Sequence, residues 1–151
     1  MRDRTSTILL VEDNPRDEEL ALLALEDSRV ANDIAVVRDG EEALDYLFGT
    51  GTHAHRDATD LPQLVLLDLK LPKVDGLEVL ERIRADRRTS WLPVVILTSS
   101  DEESDLVRSY ELRVNSYIRK PVDFEQFVQA VKHLGLYWTV WNQTPRRSPG
   151  S

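Results

Sequence analysis

The sequence predicts an α/β fold in which one doubly wound sheet of five parallel strands carries helices on both faces. Three observations lead there. Apolar runs of four residues recur, Ile8-Leu9-Leu10-Val11, Leu64-Val65-Leu66-Leu67 and Val94-Val95-Ile96-Leu97, the length of strands buried on both faces. Segments with helical spacing lie between them, and strands alternating with helices specify parallel pairing through crossover connections. The runs also end in reactive groups: Val11 leads into Glu12-Asp13, Leu67 into Asp68, Leu97 into Thr98, and Tyr117-Ile118-Arg119 into Lys120-Pro121. Ligands of open parallel sheets sit outside the carboxyl ends of the strands, so these acids, hydroxyl and amine are expected at one crevice.

Each element has its own signal. After the first strand, Asn14 is a cap and Pro15 suits the first helical position; Leu20, Leu23, Ala24 and Asp27 mark the apolar face of the first helix. Ile34-Ala35-Val36-Val37 is the second strand, closed by Asp39-Gly40, and the second helix runs from Glu41 to Phe48 burying Ala43, Leu44 and Leu47. The stretch from Gly49 to Pro62 is irregular and polar, and loops of that length are usually functional or mobile. Its His53 and His55 could begin a metal site, but no further ligands adjoin them, and a solvated loop is the simpler reading. Leu64 to Leu67 is the third strand, leading through Asp68, Pro72 and Asp75-Gly76 to a helix carrying Leu77, Leu80, Ile83 and Arg84. Trp91-Leu92-Pro93 introduces the fourth strand. Ser100-Asp101-Glu102-Glu103 fits a capping box, with Ser100 as the cap, before a helix bearing Leu106, Val107, Tyr110 and Glu111. The fifth strand is short, Ser116 to Arg119. Asp123 caps the last helix, whose Phe124, Phe127, Val128 and Val131 share a face.

Composition narrows the function. The chain has 151 residues, the size of one domain, and no cysteine, which excludes disulfides and thiolate metal sites. Nineteen basic against 27 acidic residues leave a net charge of −8, which argues against general nucleic-acid binding, since that depends on neutralising phosphates. No apolar stretch approaches the ~20 residues of a membrane span. The start, Met1 to Thr7, precedes only four strongly apolar residues, too few for a signal-peptide core; a cytoplasmic location and no membrane partner are the expectation.

Glu12-Asp13, the Asp68-x-x-x-Pro72-x-x-x-Gly76 spacing, Thr98-Ser99 and Lys120-Pro121, in that order and each behind its own strand, resemble the receiver domain of bacterial two-component response regulators. The resemblance covers about Thr7 to Leu134. It implies a flavodoxin-like (βα)5 fold with strand order 2-1-3-4-5, and a domain at 7–134. It makes Asp68 the phosphoacceptor for a sensor histidine kinase, and the chain a signalling protein rather than an enzyme with turnover. The chemistry is reasonable, because a carboxylate can attack a phosphoryl group to give an aspartyl phosphate. Two carboxylates about 4 Å apart repel by roughly 4 kcal/mol at an effective dielectric near 20, and Mg2+ relieves that repulsion with oxygen ligands. By the resemblance Asp13, Asp68 and the backbone carbonyl of Lys70 bind Mg2+ directly. Glu12 acts through a metal-bound water; many receivers carry Asp there, and Glu is a departure. Lys120 would hold a phosphate oxygen, aimed inward by a cis Lys120-Pro121 bond, while Thr98, with room left by Ser99, would meet the phosphoryl group in concert with Tyr117. By the same resemblance Lys70 and Ser100 would occupy positions that tune the lifetime of the phosphorylated state.

Each of these residues also has an ordinary reading. Glu12-Asp13 could be a solvated strand end, Lys120 an exposed lysine, Thr98 a β-branched strand residue, and Tyr117 plain core. An aspartate-nucleophile phosphatase would place a second Asp where Lys70 stands, and a flavodoxin-like cofactor site would not tolerate acids after the first strand. A receiver that no longer accepts phosphate and only binds partners is the remaining rival.

About twenty residues follow the last helix, too few for a helix-turn-helix module, so output is expected from the surface formed by the fourth helix, fifth strand and fifth helix. Leu134, Trp138 and Trp141 fall at helical spacing, and large aromatics beyond a completed core suggest an interface, although they could fold back on their own domain. The Tyr137-Trp138-x-x-Trp141-Asn142 ending and the long loop before Asp68 resemble single-domain regulators paired with bacterial phytochromes. That narrower resemblance implies a bacteriophytochrome kinase partner and a homodimer through an aromatic extension at 135–144 that includes Tyr137, Trp138 and Trp141. Residues 145–151 read as a disordered tail.

Overall fold

The computed structural model describes residues 7–27 and 32–134, and the expectations for Tyr137, Trp138 and Trp141 lie outside them. The order is β1 (Thr7–Val11), α1 (Pro15–Asp27), β2 (Asp33–Val37), α2 (Gly40–Phe48), β3 (Leu64–Leu67), α3 (Gly76–Ala85), β4 (Val94–Thr98), α4 (Glu103–Glu111), β5 (Ser116–Arg119) and α5 (Phe124–Lys132). All strand pairs are parallel, in the order β2-β1-β3-β4-β5. This is the flavodoxin-like arrangement.

The alternation of side chains along each strand divides the core between two faces. Leu9, Val11, Val65, Leu67, Val94 and Ile96 pack with Ala43, Leu44 and Leu47 of α2 and Val79, Leu80 and Ile83 of α3. Ile8, Leu10, Leu64, Leu66, Val95, Leu97 and Ile118 pack with Ala21, Ala24 and Leu25 of α1 and Phe127 and Val131 of α5. A fully buried side chain of this kind contributes about 1.5–3 kcal/mol, so the two layers hold the central strands from both sides.

Helix ends follow local chemistry in four cases. Asn14 accepts from the amides of Arg16 and Asp17, and Asp39, Asp75 and Asp123 accept from Glu42, Glu78 and Gln126 respectively. Two expectations need correction. Leu20 and Leu23 are about half exposed, and the buried face of α1 is Ala21, Ala24 and Leu25. Both faces share Ala24, and periodicity alone could not choose between sets offset by one residue. At α4 the cap is Glu102, without a side-chain bond. Ser100 instead accepts from the Glu102 amide and donates to Asp105, since the β4–α4 loop carries it into the interior at 4% exposure. Along α4 only Ser109 is buried, and Val107 and Tyr110 face outward.

The segment between α2 and β3 contains one 3-10 turn, Gly51–His53, and is otherwise held by side chains. Arg56 lies 3.7 Å over the Tyr46 ring and bonds the carbonyls of Tyr46 and Asp60. His53 pairs with Glu42 at 3.1 Å and meets the edge of Tyr46. Among the described residues neither His53 nor His55 belongs to a group with metal-ligand spacing.

Candidate functional site

Strand register builds the site. Val11 pairs with Leu67, and the Asp68 amide continues the ladder onto the Val11 carbonyl at 3.2 Å. Thr98 pairs with Arg119, and the Lys120 amide bonds the Thr98 carbonyl at 2.8 Å. Residues 12, 68, 98 and 120 therefore emerge at one edge of the sheet. Gly76 is required by this geometry, because a Cβ there would overlap the Asp68 carbonyl oxygen and Leu69 Cα; its amide bonds the Leu69 carbonyl at 2.9 Å. The spacing from Asp68 to Gly76 thus reflects α3 starting directly against the backbone that carries Asp68.

At the centre is the Lys120 ammonium. It donates to Glu12 Oε1 at 2.8 Å, Asp17 Oδ2 at 2.8 Å and Asp68 Oδ2 at 3.2 Å. The Lys120–Pro121 peptide bond is cis. The second oxygen of Glu12 accepts from the Asn14 amide at 3.2 Å, and the second oxygen of Asp68 from the Lys70 amide at 3.1 Å. Glu12 and Asp68 are buried while Asp13 is exposed beside them. Asp13 and Lys70 line one crevice with Pro72 and Asp105; Glu12, Asp17, Ser99 and Lys120 line the next.

Charge is unbalanced here, with four carboxylates around one ammonium. Burial pushes the Glu12 carboxyl up to about 7, aided by the Asp68 charge and opposed by its bond to Lys120. For Lys120 burial is the largest single influence and acts downward, but its bonds to Asp17 and Glu12 and the charges of Asp68 and Glu12 together raise it above the ordinary lysine value. The amine therefore stays charged. A divalent cation fits the remainder. One carboxylate oxygen from each of Glu12, Asp13 and Asp68 lies within 4.8 Å of the other two, and opposite ligands of an octahedral Mg2+ lie ~4.2 Å apart, at bonds of ~2.1 Å. All three donors are hard oxygens.

Thr98 is fully buried, its hydroxyl accepting from the Ser100 amide at 3.2 Å, and Ser99 is exposed. Tyr117 packs against the α2–α3 side of the core with its hydroxyl buried; burial raises its pKa, and Ser100 beside the hydroxyl opposes this. Lys70 reaches within 3.9 Å of Asp105, which also holds Ser100. Sequence reasoning did not single out Asp17 or Asp105. Acids in the first turn of a helix ordinarily serve the helix dipole, and nothing local separates these two from that role.

The chain resembles known proteins along nearly its whole length. Residues 8–132 match the response regulator receiver domain. A protein of Methanothrix harundinacea (strain 6Ac) named "Probable methanogenesis regulatory protein FilR2" is 45% identical over 139 residues, covering 91% of this chain and 86% of its own length. The structure of the bacteriophytochrome response regulator RtBRR superposes with a TM-score of 0.80 at 55% identity, covering 93% of this chain and 84% of that one. The Mn2+-bound form of response regulator Rcp1 does so with a TM-score of 0.73 at 36% identity, over 93% and 96% of the two chains. With the five-stranded order, the acidic group and the buried lysine already established, these matches mean that the chain belongs to the response regulator receiver domain family, the signalling modules of two-component systems.

Proposed function

We propose that this chain is a single-domain response regulator whose Asp68 accepts a phosphoryl group from a sensor histidine kinase in the presence of Mg2+. The observation that carries the reading is the Lys120 ammonium held within hydrogen-bond reach of Asp68, Glu12 and Asp17 at the end of the sheet. Bound Mg2+ would supply charge neutralisation at the acidic group and at the phosphoryl oxygens. Asp13, Asp68 and the Lys70 carbonyl would hold it, with Glu12 acting through water. The Asp68 carboxylate oxygen forms the new bond to phosphorus as the bond to the donor breaks, nitrogen in a phosphohistidine or oxygen in acetyl phosphate, and the donor departs as imidazole or acetate. Lys120 offers the phosphoryl group a fixed positive charge.

The switch follows from the change of charge. Phosphorylation adds roughly one negative charge and three acceptor oxygens at Asp68. Thr98 and Lys120 interact differently with the two states, and that difference is the free energy available to shift a population. Output through α4, β5 and α5 agrees with the outward Val107 and Tyr110. The receiver would span 7–134, with the aromatic residues at 135–144 contacting a second copy and a tail at 145–151. The kinase is proposed to be a bacteriophytochrome, on the likeness to RtBRR, and the location cytoplasmic. Among the described residues no helix is long and apolar enough to cross a membrane.

Acetyl phosphate labelling in Mg2+ tests the reading. The wild type should gain one phosphoryl group by mass and Asp68→Asn none; undiminished labelling of the mutant would move the acceptor elsewhere.

A further inference from the structure

An ammonium has three donors, and all three of Lys120 are taken, by Glu12, Asp17 and Asp68. Lys120 can bond a phosphoryl oxygen only if one of these acceptors lets go. Esterification moves the charge of Asp68 onto the phosphoryl oxygens, so the ammonium has to follow that charge while Glu12 and Asp17 hold it back. Glu12 is 2% exposed at the side chain, and a carboxylate released there would have little water to replace the bond. Glu12 is also tied through its other oxygen to the Asn14 amide. Asp17 is 32% exposed and can rehydrate. It stands outside the group with metal-ligand spacing, so its contact with the site runs through Lys120. Its backbone is held in the first turn of α1 by Asn14.

We propose that Asp17 is a positioning residue that competes with the phosphoryl group for Lys120 and thereby restrains phosphorylation of Asp68. In the unmodified state Asp17 draws the ammonium toward α1. As the phosphoryl group forms on Asp68, the ammonium follows its oxygens and the Asp17 bond gives way, while Glu12 keeps the lysine in the crevice. The inference rests on Asp68 being the phosphoacceptor.

The test uses the full chain in saturating Mg2+, with beryllofluoride as a stable phosphoryl mimic and acetyl phosphate as donor. Asp17→Asn keeps the side chain's shape and removes its charge. Losing one competing charge-assisted hydrogen bond should tighten beryllofluoride binding and speed labelling by about tenfold. Asp17→Glu should restore the restraint. With Lys120→Met as background, the labelling gain from Asp17→Asn should vanish. Unchanged affinity in Asp17→Asn, or weaker binding, overturns the inference, and so does a gain that persists without Lys120, which would mean bulk charge alone. A wild type that binds no beryllofluoride and takes no label overturns the phosphoacceptor reading beneath it.

Discussion

Acidification should weaken Mg2+ binding through Glu12. Burial holds its carboxyl near 7 against an ordinary 4.5, which corresponds to roughly 3 kcal/mol against the charged form. The acid's folded value is raised, so the folded protein binds more protons than the unfolded chain between those pH values, and stability without metal rises as pH falls from 8 toward 5. Lys120 adds no slope there, because its raised folded value affects stability only above its ordinary 10.5. A cation at the acidic group needs Glu12 ionised and competes with its proton. If ionisation of Glu12 is obligatory, the apparent Kd follows 1 + 10^(7−pH), rising by about twofold at pH 7 and about tenfold at pH 6 over its value at pH 8. Calorimetric Mg2+ titrations at pH 6, 7 and 8, in buffers of different ionisation heat, read both the affinity and the proton released. Glu12→Gln should flatten the dependence. A Kd constant within twofold from pH 8 to pH 6, or an equal slope in Glu12→Gln, would refute the reasoning.

Two further outcomes are expected. Arg84 donates to the carbonyls of Ser90, Leu92, Leu112 and Arg113; Arg84→Met should lower stability to urea by about 2–4 kcal/mol by leaving part of that set unpaired, and a loss under about 1 kcal/mol would show that water replaces it. Removal of Tyr137 to Ser151 should convert a dimer to a monomer by light scattering, and an unchanged mass would remove the C-terminal interface.

The central strands were legible because they are buried on both faces. Leu64-Val65-Leu66-Leu67 has no polar residue to mislead, and each run stops where its chain leaves the sheet. The same limit made Glu12, Asp13, Asp68, Thr98 and Lys120 stand out, since reactive groups directly after buried runs share one edge by topology alone. The face of α1 was not legible. Leu20, Leu22, Leu23 and Leu25 make more than one face of the helix apolar, and the one that packs against the sheet is Ala21, Ala24 and Leu25. Ser100 matched a local capping pattern and was taken instead by Asp105.

By itself, then, the sequence determined the element order, the central strands and which strand ends carry chemistry, because those depend on local burial and on the rule that parallel strands end together. Only the tertiary structure decided who holds whom. Asp17 and Lys120 are 103 residues apart, and Arg84 reaches carbonyls as far as 29 residues along the chain. Such pairings arise from how helices settle on the sheet, at distances over which neighbouring residues carry no information about one another.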